Sequence, residues 1–175
     1  EFLKNRESLK SDLRPAVLEV VGRYSDRATY DRLHDLGQQA QSLEEKLFFY
    51  RGMQVARDPK LAEESLRISL TDELPPGIAA YSVYWVAFGG EHRELVWAFV
   101  RENLKTLTEK LDFWGQLNYA PNLMTAFSDA ARADELEAFS REHLSKDADK
   151  EVAKAAAKIR FRARLKEREL PGLFE

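Results

Sequence analysis

The chain has 175 residues, a formal net charge of -3, and 44% apolar against 33% charged residues. That length accommodates one domain with a real core, and that mixture excludes both a disordered chain and a membrane-spanning one. The acidic balance supplies no global attraction to nucleic acid or to an anionic membrane, so neither is expected as a partner.

Only 8 glycines and 6 prolines occur, and the chain is rich in the residues that lose least on entering a helix. Apolar residues recur at intervals of three and four nearly everywhere, without the alternation of a half-buried strand, and nine helices are expected. The stretch Glu1 to Lys10 is charged, starts without methionine and lacks the apolar run of a signal peptide, as expected of a fragment of a larger protein. The first helix is placed at Leu13 to Tyr24, capped by Ser11 or Asp12, with Pro15 in its first turn. The second is placed at Thr29 to Gln41. The third, Leu43 to Arg57, opens on Ser42-Leu43-Glu44-Glu45, which has the spacing of a capping box.

Asp58-Pro59 supplies a cap and a first-turn proline for the fourth helix, Lys60 to Leu70, with Leu61, Ser65 and Ile68 along one face. Leu74-Pro75-Pro76-Gly77 breaks the chain before the fifth, Ile78 to Phe88, which Gly89-Gly90 terminates. The sixth, His92 to Leu111, sets Trp97, Val100, Leu104, Leu107 and Leu111 at successive steps of three and four. Helices near Gln116 to Phe127, Asp134 to Leu144 and Asp147 to Arg168 complete the set, with Pro171-Gly172 ending the last.

Pairing the second helix with the third, the fourth with the fifth, the sixth with the seventh and the eighth with the ninth gives two-helix units roughly 30 to 45 residues apart, the spacing of an alpha-solenoid. The expectation is therefore an all-α, irregular HEAT-like solenoid forming a single domain over 1–175. A globular helical bundle satisfies the same spacing.

Chemistry is sparse. The histidines His34, His92 and His143 are far apart in sequence, and none has a second histidine one helical turn away, so neither a metal site nor a resident cofactor is expected in this chain. Phosphate loops, dinucleotide-binding glycine patterns and nucleophile elbows do not occur, so no catalytic residue is assigned. Zero cysteines exclude disulfides and thiolate chemistry and suit a cytoplasmic, periplasmic or secreted setting equally. Tyr81, Trp85 and Phe88 are assigned to the core by their spacing, and Tyr84 lies off that stripe. The last helix alternates Lys158, Arg160, Arg162, Arg164, Lys166 and Arg168, which demands compensating acids from Glu167, Glu169 or neighbouring helices, or else an anionic ligand.

Several segments carry a resemblance. Ala56-Arg57-Asp58-Pro59-Lys60-Leu61 followed by Leu66-Arg67-Ile68-Ser69-Leu70, then Gly89-Gly90 leading to Val96-Trp97-Ala98-Phe99-Val100-Arg101-Glu102-Asn103, and finally Glu135 to Phe139, resemble the C-terminal domain of the aminopeptidase N, puromycin-sensitive and endoplasmic-reticulum aminopeptidase group. Trp97, Phe99 and Asn103 keep that family's spacing. The family's zinc-binding His-Glu-x-x-His and its Gly-x-Met-Glu-Asn belong to a preceding catalytic domain, and Gly52-Met53-Gln54-Val55 is no substitute. The resemblance implies a noncatalytic helical cover over the catalytic domain of the same polypeptide, enclosing peptide substrate or regulating its access, with zinc in the parent enzyme. It makes Arg51, Tyr84, Arg160 and Arg164 candidate peptide-facing residues. A free-standing helical-repeat scaffold for a protein partner is the alternative.

Overall fold

The computed structural model describes Ser8 and residues 10–169. Within them the chain is all-α, as expected: nine α-helices and no strand. The expected stop at Pro171-Gly172 lies outside the described residues. None of these helices is long and apolar enough to cross a membrane. The chain divides into two compact units, 1–99 and 100–175.

The first unit holds α1 (Arg14–Arg23), α2 (Arg27–Gln39), α3 (Leu43–Gln54), α4 (Pro59–Ile68), α5 (Pro76–Phe88) and the start of α6 (Arg93–Thr108). Local signals set most starts. The Ser42 hydroxyl accepts from the Glu45 amide at 3.1 Å and Asp58 accepts from Lys60 at 2.8 Å ahead of Pro59. Each satisfies an amide that has no partner inside its own helix. Other starts in this unit differ from expectation, and α5 begins at Pro76 rather than Ile78, with proline in its first turn. The cap position of α1 is Leu13, without a side-chain hydrogen bond, because Ser11 to Leu13 form a 3-10 turn. Asp26 caps α2 by accepting from Thr29 at 2.8 Å, so that helix begins before Thr29.

Helix α3 packs against α1, α2, α4 and α5. The core around it holds Leu18, Tyr30, Leu33, Phe49, Met53 and Leu61. Ser65, a polar residue on the apolar face of α4, is fully covered, and its hydroxyl shares a 2.8 Å hydrogen bond with the Tyr30 hydroxyl. That partnership removes the penalty of burying it.

A second polar node ties α2 and α3 to the loop before α5. The Glu73 carboxylate accepts from the Tyr50 hydroxyl at 2.6 Å and from Gln38 at 3.3 Å, and lies 2.6 Å from His34 Nε2, while Lys46 Nζ donates to the Glu73 carbonyl at 2.8 Å. Burial opposes ionisation of Glu73, yet the hydrogen bonds from Tyr50, His34 and Gln38 hold its pKa below the usual carboxylate value. Burial, and then the Glu73 carboxylate, push the Tyr50 phenol up. A depressed folded-state pKa means that this node contributes fully above the unfolded carboxylate value, about 4.3, and loses its contribution as pH falls through the folded value. Glu73→Gln is expected to lower stability at neutral pH by about 1–2 kcal/mol. Urea titrations should show that deficit narrowing below about pH 4; a deficit unchanged down to that pH would mean that the charge of Glu73 contributes nothing.

The second unit holds the remainder of α6 with α7 (Phe113–Met124), α8 (Ala130–His143) and α9 (Asp149–Glu169). The expected uninterrupted amphipathic sixth helix is corrected here: α6 is kinked at Asn103, whose φ of -117° and ψ of 15° are not helical, and it ends at Thr108. Helix α9 packs against α7 and α8. Its inner positions are Val152, Ala155, Ala156, Ile159 and Ala163, all buried. Short side chains there let α9 lie close to its neighbours.

Candidate functional site

Helix α5 decides where a site can form. Its residues are nearly all apolar, so periodicity alone does not say which side is covered. The small residues Ala79, Ala80, Ser82, Val83 and Ala87 are buried, and the aromatic ones are left outside. The core assignment made from spacing is therefore corrected: Tyr81 is 41% exposed, Phe88 is 50% exposed and Trp85 is half-buried. The physical reason is close approach, because a face of alanine and serine lets helix backbones come nearer than a face of rings does.

Tyr84, Trp85 and Phe88 form one wall of a groove of about 440 Å3 whose other walls come from α1 and α3. Pro15 and Glu19 line it from α1, Phe48 and Arg51 from α3, and Tyr84, Trp85 and Phe88 from α5. The Arg51 guanidinium lies 4.8 Å from the Trp85 ring centroid, a cation-π arrangement that holds a charge at the mouth while its stem covers the ring. Tyr84 meets Tyr81 edge to face, with centroids 5.6 Å apart, and Phe88 at 6.1 Å.

Two devices position these walls. Gly22 and Gly52 are the contact between α1 and α3, with backbone against backbone. At the far end, Arg23 donates to the Gly89 carbonyl at 2.9 Å and pairs with Glu91 at 2.8 Å, tying the end of α1 to the end of α5. Glu91 adopts a φ of 66°, a left-handed conformation that side chains other than glycine resist. The Arg23 hydrogen bond and charge hold the Glu91 carboxyl below its ordinary value. Sequence spacing sets Glu91 beside Glu94 as an ordinary pair on a solvated helix face, and its pairing with Arg23 was not foreseen, since nothing local marks partners 68 positions apart.

The groove lining has two charged groups, Glu19 and Arg51, among aromatic and aliphatic side chains, with no histidine, serine or paired carboxylates. It suits an extended apolar or aromatic segment carrying a polar end.

Of the four residues expected to face peptide, Arg51 and Tyr84 come together in this groove. Arg160 belongs to the second unit and is engaged there. It donates to both Glu137 oxygens at 2.7 and 2.9 Å and to Asp134 at 2.6 Å, clamping α9 to α8. Those carboxylates push its guanidinium further up and are matched by a lowered Glu137. Arg162 donates to the Thr125 carbonyl at the end of α7, where a cation complements the helix dipole. The acids compensating Arg160 thus come from α8, while the Glu169 side chain lies outside the described residues. Arg164 is exposed. Among the residues expected for family-like packing, Trp97 is 1% exposed, and Phe99 and Asn103 are half-buried.

Among the described residues no three His, Cys, Asp or Glu side chains converge. His92 Nε2 hydrogen-bonds the Ala56 carbonyl at 2.8 Å, and His143 lies tilted against Phe139 with centroids 4.6 Å apart.

A family model described as the ERAP1-like C-terminal domain matches residues 1–161, which takes in all of α1 to α8 and most of α9. The chain, all-helical in its described residues, belongs to the ERAP1-like C-terminal domain family, a noncatalytic part of aminopeptidases.

Proposed function

We propose that this chain, both units together, covers the catalytic domain of a zinc aminopeptidase and takes part in holding peptide substrate or admitting it. The observation that carries this reading is the groove between α1, α3 and α5, where four aromatic rings and Arg51 line one accessible surface. An extended peptide has alternating side chains for the rings and polar groups for Arg51 and Glu19. Solenoid stacking of helix pairs is the architecture that presents such surfaces.

The test uses the parent enzyme. Arg51→Ala with Tyr84→Ala should raise KM for long peptides by about tenfold and leave hydrolysis of a one-residue anilide within about twofold. The one-residue anilide carries no extended segment for a groove to hold, so it serves as the short-substrate control. Equal effects on both substrates, or on neither, would remove the groove from peptide handling. The purified chain by itself is expected to hold no stoichiometric zinc and to hydrolyse no aminoacyl anilide; chelator-sensitive hydrolysis by the chain would contradict this.

A protein-interaction scaffold is the second reading, favoured by one observation: Phe113 and Trp114 at the start of α7 are 55% and 70% exposed. Such rings mark contact surfaces when they are not covered. A parent polypeptide lacking any catalytic domain would select this reading over the first.

A further inference from the structure

The basic run on α9 is only partly used by the fold. Arg160 and Arg162 turn toward α8 and α7, as described above, and four cations remain between Lys158 and Arg168. At 100° per residue, Lys154, Lys158, Phe161, Arg164, Leu165 and Arg168 fall within 60° of one line along the helix. All six are exposed, with Phe161 at 55% and Leu165 at 37%. The buried residues Val152, Ala156, Ile159 and Ala163 lie on the opposite side. Glu151 pairs with Lys154 at 2.7 Å, and no carboxylate pairs with Lys158, Arg164 or Arg168 among the described residues. The strip therefore carries an apolar patch at Phe161 and Leu165, edged by Lys158 on one side and Arg164 on the other and ended by Lys154 and Arg168, over about 21 Å, or four helical turns.

We infer that this strip is a docking surface for an acidic amphipathic helix, one whose apolar residues seat on Phe161 and Leu165 while its carboxylates meet the flanking lysines and arginines. This goes beyond the proposed function and does not rest on it. The arrangement chooses among anionic partners. A helix lying in a membrane surface separates its apolar side from its basic side, so that one enters the acyl region and the other meets the headgroups. Here apolar and basic residues share a single side, with the opposite side buried in the protein. Nucleic acid would use the cations, but an aliphatic Leu165 beside a phosphate backbone adds nothing to binding. A facing helix uses both: an apolar seam for packing and flanking opposite charges for register and orientation.

The test titrates the full chain with a fluorescent, alanine-based helical peptide of about 20 residues carrying two leucines four apart and flanking glutamates. A scrambled peptide of the same composition, phosphatidylserine vesicles and duplex DNA are measured alongside at roughly 0.15 M salt. Saturable binding at least about tenfold tighter than that of the scrambled peptide is expected, weakened at least about tenfold by Phe161→Ser with Leu165→Ser and by Arg164→Glu with Arg168→Glu. Because the altered residues are exposed, circular dichroism melts should stay unchanged. If either double variant unfolds, Lys158→Glu, at a cation without a carboxylate partner among the described residues, carries the charge test instead. Equal affinity for the scrambled peptide, full affinity in the variants, or tighter binding of vesicles or DNA than of the peptide would each overturn the assignment.

Discussion

Gly22→Ala is expected to destabilise the protein by about 3 kcal/mol or more, a value at the upper end for overpacking a core. A methyl group at this position would sit 1.8 Å from the Gly52 carbonyl oxygen and 2.4 Å from the carbonyl carbon. Both are backbone atoms of α3, so no side chain can rotate aside, and α1 must lift away from α3. Lifting it uncovers Leu18, which is 1% exposed, and loosens a wall of the groove. Gly77→Ala is the matched control. Nothing lies within 4 Å of a methyl group there, and the position is helical, so a gain of about 0.5–1 kcal/mol is expected from the reduced freedom of the unfolded chain. Urea unfolding of the two variants should move in opposite directions. Similar midpoints for Gly22→Ala and the unaltered protein would show that α1 and α3 are not in contact as described.

The second large effect is expected at Trp97. Its side chain is the largest of those fully buried, and Trp97→Ala should cost about 3–5 kcal/mol through lost burial and the cavity left behind. Trp114, 70% exposed, gives the contrast: Trp114→Ala should change stability by no more than about 0.5 kcal/mol. Equal losses at both sites by thermal and urea unfolding would contradict the burial assigned to each.

These two residues also show how much was legible in advance. Trp97 stood out because a spacing of three and four along α6 marks a covered face, and because that segment resembles a known family. Its burial followed. Helix α5 carried no such contrast. Being apolar all round, it gave no phase, and the rings Tyr81, Trp85 and Phe88 were assigned to the core when the fold had covered the alanine side. The groove was missed for the same reason, although Arg51 and Tyr84 were named. Arg160 illustrates the opposite error. An arginine in a basic run looks available, and only its distance to Glu137, 23 positions earlier, reveals that it is already held.

By itself the sequence determined the helical class, most helix boundaries and the family, because capping side chains, prolines and apolar spacing act within a turn or two of the residues that carry them. Tertiary structure alone decided which side of α5 faces solvent, where α6 kinks, which cations are spent on internal carboxylates, and that Arg51 meets Trp85. Each of these depends on how closely two backbones approach, and that distance is set by the summed shapes of side chains far apart in the chain.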